Sequence, residues 1–272
     1  LFGGFDSSVA LQDTWEWDGA GWVERTPSGA RPPGRYQHAM AFEPVSQRII
    51  LFGGWSGIGD TWAWDGVNWT RLTPAHSPPW TYGHAMCTDS ARGRIVLFGG
   101  RTYSSVRGGT WEWNGADWIE RAPANAPSPR WGHAMAYDQA RQRVVLFGGY
   151  PRLPFTWYVE AYDDTWEWDG TNWLEKTIAP PPYNGDGPPP DPNRPLPMLS
   201  SSMTYVSDRN KILLWGSRRF ATEWVGAWEF NGAEWHYIGW IGAPRSEAYH
   251  GAGLAYDTSR KAAILFGGWT PW

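Results

Sequence analysis

The tetrapeptide LFGG begins at Leu1, Leu51, Leu97, Leu146 and Leu265, and a worn copy, LWGS, begins at Leu214. The chain therefore copies one structural unit at steps of 50, 46, 49, 68 and 51 residues. A period of about 40 to 50 residues with a Gly pair and fixed aromatics predicts propeller blades rather than a helical array. Turn chemistry cuts each copy into four short strands. In the copy from Trp131 to Trp173, HAMAYD is the first, Asp138 to Gln142 a polar turn, and RVVLF the second, stopped by Gly148 and Gly149. DTWEW is the third, Asp169-Gly170 the expected source of positive φ for a tight hairpin, and NWLEK the fourth. Asp-Gly or Asn-Gly recurs at Asp18, Asp65, Asn114, Asp169 and Asn231, each time after the third strand. No stretch has sustained helical periodicity.

Two aromatics separated by six residues follow each Gly pair or its worn copy but the last: Trp15 and Trp22, Trp62 and Trp69, Trp111 and Trp118, Trp166 and Trp173, Trp228 and Trp235. With the Gly pair after the second strand, this pattern resembles the kelch-repeat family, bacterial type, over almost the whole chain. The resemblance implies an all-β, kelch-type β-propeller. It implies no single function, because kelch propellers include enzymes, binding modules and scaffolds.

The 272 residues, 42% of them hydrophobic, can bury a substantial core, and the repeats predict one domain over 1–272 with insertions at 151–163 and 178–197. A count of strands gives five first strands, six second strands, and five each of the third and fourth. The expectation is five four-stranded blades, the last closed by both termini, because closure removes exposed sheet edges. One LFGG is then redundant. The alternative is a fragment of a six-bladed propeller.

A net charge of -4 argues against nucleic acid as the main partner. Cys87 is the only cysteine, which excludes an intrachain disulfide and leaves the compartment open. The chain shows no transmembrane run or signal peptide, and starting at Leu1 it is expected to have lost a leader or further sequence. An extracellular or periplasmic location is the expectation.

Residues that recur blade after blade are expected to be structural. They are the fourteen Trp of the third and fourth strands, Glu16, Glu112, Glu167 and Glu229, and His38, His84 and His133. Function is sought where copies differ. Because the strands of a blade alternate direction, the loops after the second strand and before the first emerge on one side, the side ligand-binding kelch propellers commonly use. That side carries Phe5, Trp55, Arg101, Tyr150, Arg218 and Trp269 after the Gly pairs, and Arg35 with Tyr36, Trp80 with Tyr82, Arg130 with Trp131, and Arg245 before the first strands. The candidate ligand-binding set is Arg35, Trp55, Trp80, Arg101, Arg130, Trp131, Tyr150, Arg218, Arg245 and Trp269. Flat aromatics stack on sugar rings or Pro-rich peptides and Arg forks hold carboxylates, so acidic or neutral glycans and protein segments are the expected ligands.

The insertions fall on the same side. IAPPPYNGDGPPPDPNRPLP, residues 178–197, is a stiff, extended connection that could brace the rim or dock a partner. Next to it Ser201 and Ser202 stand where three other copies carry His-Ala, and Met198 where Arg35 and Arg130 stand, which makes this fourth-to-fifth junction the preferred site region.

Enzyme readings rank lower. Kelch-related copper radical oxidases need a Cys crosslinked to Tyr, whereas Cys87 reads as a small buried residue. His76, His236 and His250 have no close ligand spacing. Resemblance to sugar epimerases or mutarotases would draw on Arg245, Glu247 and His250. The expectation is no catalytic residue, metal or cofactor, and a noncatalytic protein-binding or glycan-binding module. A structural subunit of a larger assembly is the second reading, since an exposed aromatic patch marks an interaction site.

Overall fold

The computed structural model describes residues 1–55, 57–152, 161–177, 195, 199–217, 225–239 and 252–267. The fold is all-β, with no helix among these residues, and has the four-stranded antiparallel blades of a five-bladed β-propeller. The chain divides into two compact units, Leu1–Arg121 and Ala122–Trp272.

The first unit holds a three-stranded sheet of β1 (Phe2–Phe5), β2 (Ala10–Trp17) and β3 (Trp22–Arg25). Two complete blades follow. One is β4 (Ala39–Glu43), β5 (Arg48–Phe52), β6 (Thr61–Trp64) and β7 (Trp69–Leu72); the other is β8 (Ala85–Asp89), β9 (Arg94–Phe98), β10 (Thr110–Trp113) and β11 (Trp118–Arg121). The second unit begins with the blade of β12 (Ala134–Asp138), β13 (Arg143–Gly149), β14 (Tyr162–Trp168) and β15 (Trp173–Lys176). It continues with β16 (Leu199–Val206), β17 (Lys211–Ser217), β18 (Val225–Phe230) and β19 (Trp235–Gly239), and ends in a two-stranded sheet of β20 (Gly253–Asp257) and β21 (Ala262–Phe266).

Four blades are thus complete, and the terminal strands form two sheets. The place beside β2 that closure would assign to β21 is held by β1. The reason is local: Asp6 N–H donates to the Val9 carbonyl, and the Asp6 carboxylate accepts from the Ser8 and Val9 amides, tying β1 to β2 through a short turn. A loop of a few residues costs far less entropy than one spanning the chain.

The hairpins between third and fourth strands also differ from expectation. Trp168 pairs with Trp173, leaving a four-residue loop in which Gly170 alone has positive φ, +101°. Asp169 supplies its carboxylate instead, accepting from Thr171 and Asn172 amides at 2.7 and 2.8 Å. The motif is a carboxylate-capped loop, in which Asp or Asn is needed for its acceptor and Gly for its backbone.

Sheets within a unit are joined in three ways. Alternate strand residues point to opposite faces, so Ile50 and Phe52 of β5 pack with Ile95, Leu97, Trp113 and Trp118, while Leu51 packs with Phe2, Trp62 and Trp69. Burying one indole removes roughly 150 to 250 Å² from water, worth at most about 4 to 6 kcal/mol. Three fourth-strand indole N–H groups also reach a third-strand Thr hydroxyl of the preceding sheet: Trp69 to Thr14 at 2.9 Å, Trp118 to Thr61 at 3.0 Å, and Trp235 to Thr165 at 3.0 Å. Finally, the second Gly of a pair donates to the next blade's lead-in carbonyl, Gly4 to Arg35 and Gly54 to Thr81. A Cβ on Gly53 would lie 2.5 Å from that Thr81 oxygen, which explains why the Gly pair repeats.

Arg35 and Arg130, proposed from sequence as ligand-binding, are structural, and this corrects the expectation. Arg35 is 0% exposed. Its guanidinium donates to both Asp60 oxygens at 2.6 and 3.2 Å, to the Gly53 carbonyl and to the Pro33 carbonyl. Arg130 repeats this with Asp164, the Gly148 carbonyl and the Ser128 carbonyl. Burial by itself would raise the Asp60 carboxyl pKa, but hydrogen bonds from Arg35 and the Trp62 indole outweigh it and hold the pKa below the usual value. In the β8–β11 blade, Thr81 and Gly109 stand at the Arg and Asp positions, and Thr81 Oγ donates to the Arg101 carbonyl at 3.2 Å. Both charges are exchanged together, so neither is left buried alone.

Arg35→Thr should cost about 3–5 kcal/mol by stranding Asp60. Arg35→Thr with Asp60→Gly, which copies the Thr81/Gly109 blade, should cost clearly less than the two single changes added together. Urea unfolding of the four proteins checks this, and strict additivity would contradict it.

Candidate functional site

In the first unit the loop residues assemble a continuous aromatic face. From Phe5, ring centroids follow at 5.0 Å to Tyr36, 5.7 Å to Trp55, 5.0 Å to Tyr103 and 4.8 Å to Trp80, with Tyr82 beneath, 4.7 Å from Trp55. Phe5 and Tyr103 are 53% and 54% exposed, Tyr36, Trp55 and Trp80 are half-buried, and Tyr82 is buried. Arg101 lies over the Tyr82 ring at 4.8 Å. Burial lowers the Arg101 pKa and raises those of Tyr36 and Tyr82, so in neutral solution the face holds a cation among neutral phenols.

One backbone rule builds this face. In the three copies that carry the His, the residue after the Gly pair donates its N–H to the carbonyl two residues before that His: Trp55 to Tyr36 at 2.8 Å, Arg101 to Tyr82 at 2.9 Å, Tyr150 to Trp131 at 2.8 Å. The side chains at these two positions therefore meet, as a Tyr36–Trp55 stack with 20° between planes, the Arg101–Tyr82 cation–π contact, and the Trp131–Tyr150 pair at 5.0 Å. Trp80 is held by its indole N–H to the Gly54 carbonyl at 3.1 Å. Tyr103 is lifted by a small extension of the β9–β10 loop, where Arg101 bridges Val106 and the Thr102 hydroxyl accepts from the Ser104 and Ser105 amides.

Of the sequence candidates, the structure brings Trp55, Trp80 and Arg101 together in the first unit. Trp131 and Tyr150 form their own pair in the second, where the Trp131 indole donates to the Arg152 carbonyl at 2.8 Å. Arg218, Arg245 and Trp269 lie outside the described residues, as do Glu247, His250, Met198 and most of both insertions. Tyr103 was missed. Tyr36 and Tyr82 were placed on the face but not chosen; their position two residues before the repeated His is the signal that finds them.

Several other titratable groups among the described residues belong to the framework. Glu112 is fully buried and accepts from Arg92 at 2.6 Å and Arg121 at 2.9 Å; Glu229 takes Arg209 and Lys211, and Glu167 takes Arg141 and Lys176. Cys87 is buried, and burial pushes its thiol well above the usual range. Among the described residues no three His, Cys, Asp or Glu form a metal-ligating group. His38 and His84 are structural, as their recurrence predicts: both pack against the Gly pairs, and the His84 ring lies against the Phe52 backbone carbonyl, whose hydrogen bond opposes the effect of burial on its pKa. Both rings also fill the space the glycines leave: a Cβ on Gly53 would lie 3.0 Å from the His84 ring, and a Cβ on Gly54 3.0 Å from His38 Cβ. No protein-family model matches the chain, and a comparison with curated proteins found no match.

Burial lowers the pKa of His38 to about 3 and of His84 to about 4, from 6.5. Unfolded imidazoles take up protons below about pH 6.5 while the native ones stay neutral. The stabilisation is therefore complete above that pH and is lost as pH falls toward 4 and then 3. The urea midpoint should drop between pH 7 and pH 4.5, and the drop should shrink in the His38→Gln/His84→Gln variant; an unchanged drop would contradict the assignment.

Proposed function

We propose that this chain is a kelch-type propeller acting as a noncatalytic binding module, with its ligand seated on the face of Phe5, Tyr36, Trp55, Tyr103 and Trp80. The observation that supports this is the unbroken run of five rings with an exposed aromatic at Phe5 and another at Tyr103. Folding alone gives no reason to leave these rings in water, since burying either would be favourable. A contiguous exposed aromatic patch is the mark of an interaction surface, and Tyr and Trp are the side chains that dominate binding hot spots.

Phe5 belongs to β1, the loops of Tyr36 and Trp55 are joined by a backbone hydrogen bond, and the Trp80 indole is bonded to the Gly54 carbonyl, so much of the surface is organised before the ligand arrives and little ordering entropy opposes binding. Arg101 adds a fixed positive charge and a preference for ligands carrying a carboxylate or other acceptor. Carbohydrates and extended protein segments both present the flat apolar surface such rings take.

The test is a paired glycan-array and peptide-array screen of the full chain, with Tyr103→Ala and Trp80→Ala beside it and Leu174→Ala, an exposed side chain of β15, as control. Binding that falls roughly tenfold or more in the two face variants and persists in the control is the expected result. Binding that ignores both face variants, or no binding by the folded protein on either array, would overturn the proposal.

A further inference from the structure

We propose that the aromatic face is a dock for a proline-rich acidic segment, and that the segment it takes is residues 178–197 of a second copy of this chain. This rests on the reading that the face binds a ligand, and specifies which. The argument begins with the angles between rings. A pyranose stacks on an open, flat ring face. Trp55, at the centre of the run, is instead flanked by Tyr36 nearly parallel to it and by Tyr103 at 83°. Phe5 is inclined 42° to Tyr36, and Trp80 53° to Tyr103. The outer surface is therefore a row of ridges and clefts rather than a platform.

Clefts between inclined aromatics suit prolyl rings, which a polyproline II helix presents with its conformation already fixed. Such a helix advances about 3.1 Å per residue, so a turn of three residues covers about 9 Å. Successive rings on the face lie 4.8 to 5.7 Å apart, so one turn of the helix spans more than one ring and can engage two of them. Charge points the same way. The loop that raises Tyr103 carries Arg101 and the exposed Arg107, which is tied to Gly100 by its amide. The sequence contains one segment with matching chemistry, PPPYNGDGPPPDPNR, where two runs of three prolines are interleaved with two aspartates, Asp186 and Asp191, against the single cation Arg194, so the segment is acidic by one charge.

The experiment uses the full chain and a variant with Pro180, Pro181, Pro182, Pro188, Pro189 and Pro190 changed to Ser, whose own segment cannot compete. A synthetic peptide of residues 178–197 is titrated into both, read by tryptophan fluorescence, and sedimentation velocity follows self-association. The expected result is saturable peptide binding, strongest in the Ser variant and weakened about tenfold or more by Tyr103→Ala or Trp55→Ala. Concentration-dependent association of the wild-type chain should also disappear in the Ser variant and in Tyr103→Ala. No peptide binding by the Ser variant, binding indifferent to Tyr103, or a wild-type chain that stays monomeric would each overturn the inference. If glycans bind with Tyr103 dependence while the peptide does not, the inference fails and the binding-module reading stands; if neither binds, both fail.

Discussion

The hydrogen bond from a fourth-strand indole to a threonine hydroxyl of the preceding sheet is the contact on which the rest of each unit depends. A β-sheet satisfies its own backbone, so what must be specified is how one sheet sits against the next. Apolar packing supplies most of the energy but little direction. Trp69, Trp118 and Trp235 supply the direction, each with one donor and one acceptor away from water. A buried indole without its acceptor costs about 1–3 kcal/mol, so any slip in register between sheets is penalised at the same atom. The Gly pairs complete the junction by letting the next lead-in carbonyl come within reach of a backbone amide.

Charge follows a consistent logic of replacement in groups. The β4–β7 blade keeps the Arg35–Asp60 pair but has Ala63 where other third strands carry Glu, with Ser46 and Leu72 at the positions of Arg92 and Arg121. The β8–β11 blade does the reverse, keeping Arg92, Glu112 and Arg121 while losing the Arg–Asp pair. One group remains behind. Trp64 donates to Glu16 of the preceding sheet at 2.9 Å, whereas Ala63 leaves nothing at the matching place for Trp113, whose indole nitrogen is buried without a partner among the described residues. Where the Arg–Asp pair is absent, Trp80, Tyr82 and the raised loop of Tyr103 are found, so the blade that gives up a structural clamp is the one that builds most of the aromatic face.

Much of the fold was legible because it repeats. LFGG, the Trp pairs and the Asp-Gly turns fixed the four-strand unit and its strand limits, since each feature has one backbone explanation wherever it occurs. The pairing at the termini was not legible: β1 and β21 carry the same LFGG, and only the Asp6 turn, a local feature, decides which lies beside β2. Site residues were legible by side but not by role. Arg35 and Arg130 sit next to half-buried loop aromatics in sequence, yet their length lets them turn inward to Asp60 and Asp164, partners 25 and 34 residues away. Tyr103 has no counterpart in other copies, so comparing the repeats could not mark it.

The account stands most directly on the indole–hydroxyl junction, and native-state amide exchange of Thr61→Val measures it. Valine matches threonine in shape and removes only the acceptor for Trp118. The account predicts faster exchange in both the β4–β7 and β8–β11 sheets, by an amount corresponding to about 1–3 kcal/mol, with the β12–β15 sheet much less affected. Unchanged protection, or a loss confined to β6, would show that packing alone sets one sheet against the next and would contradict it.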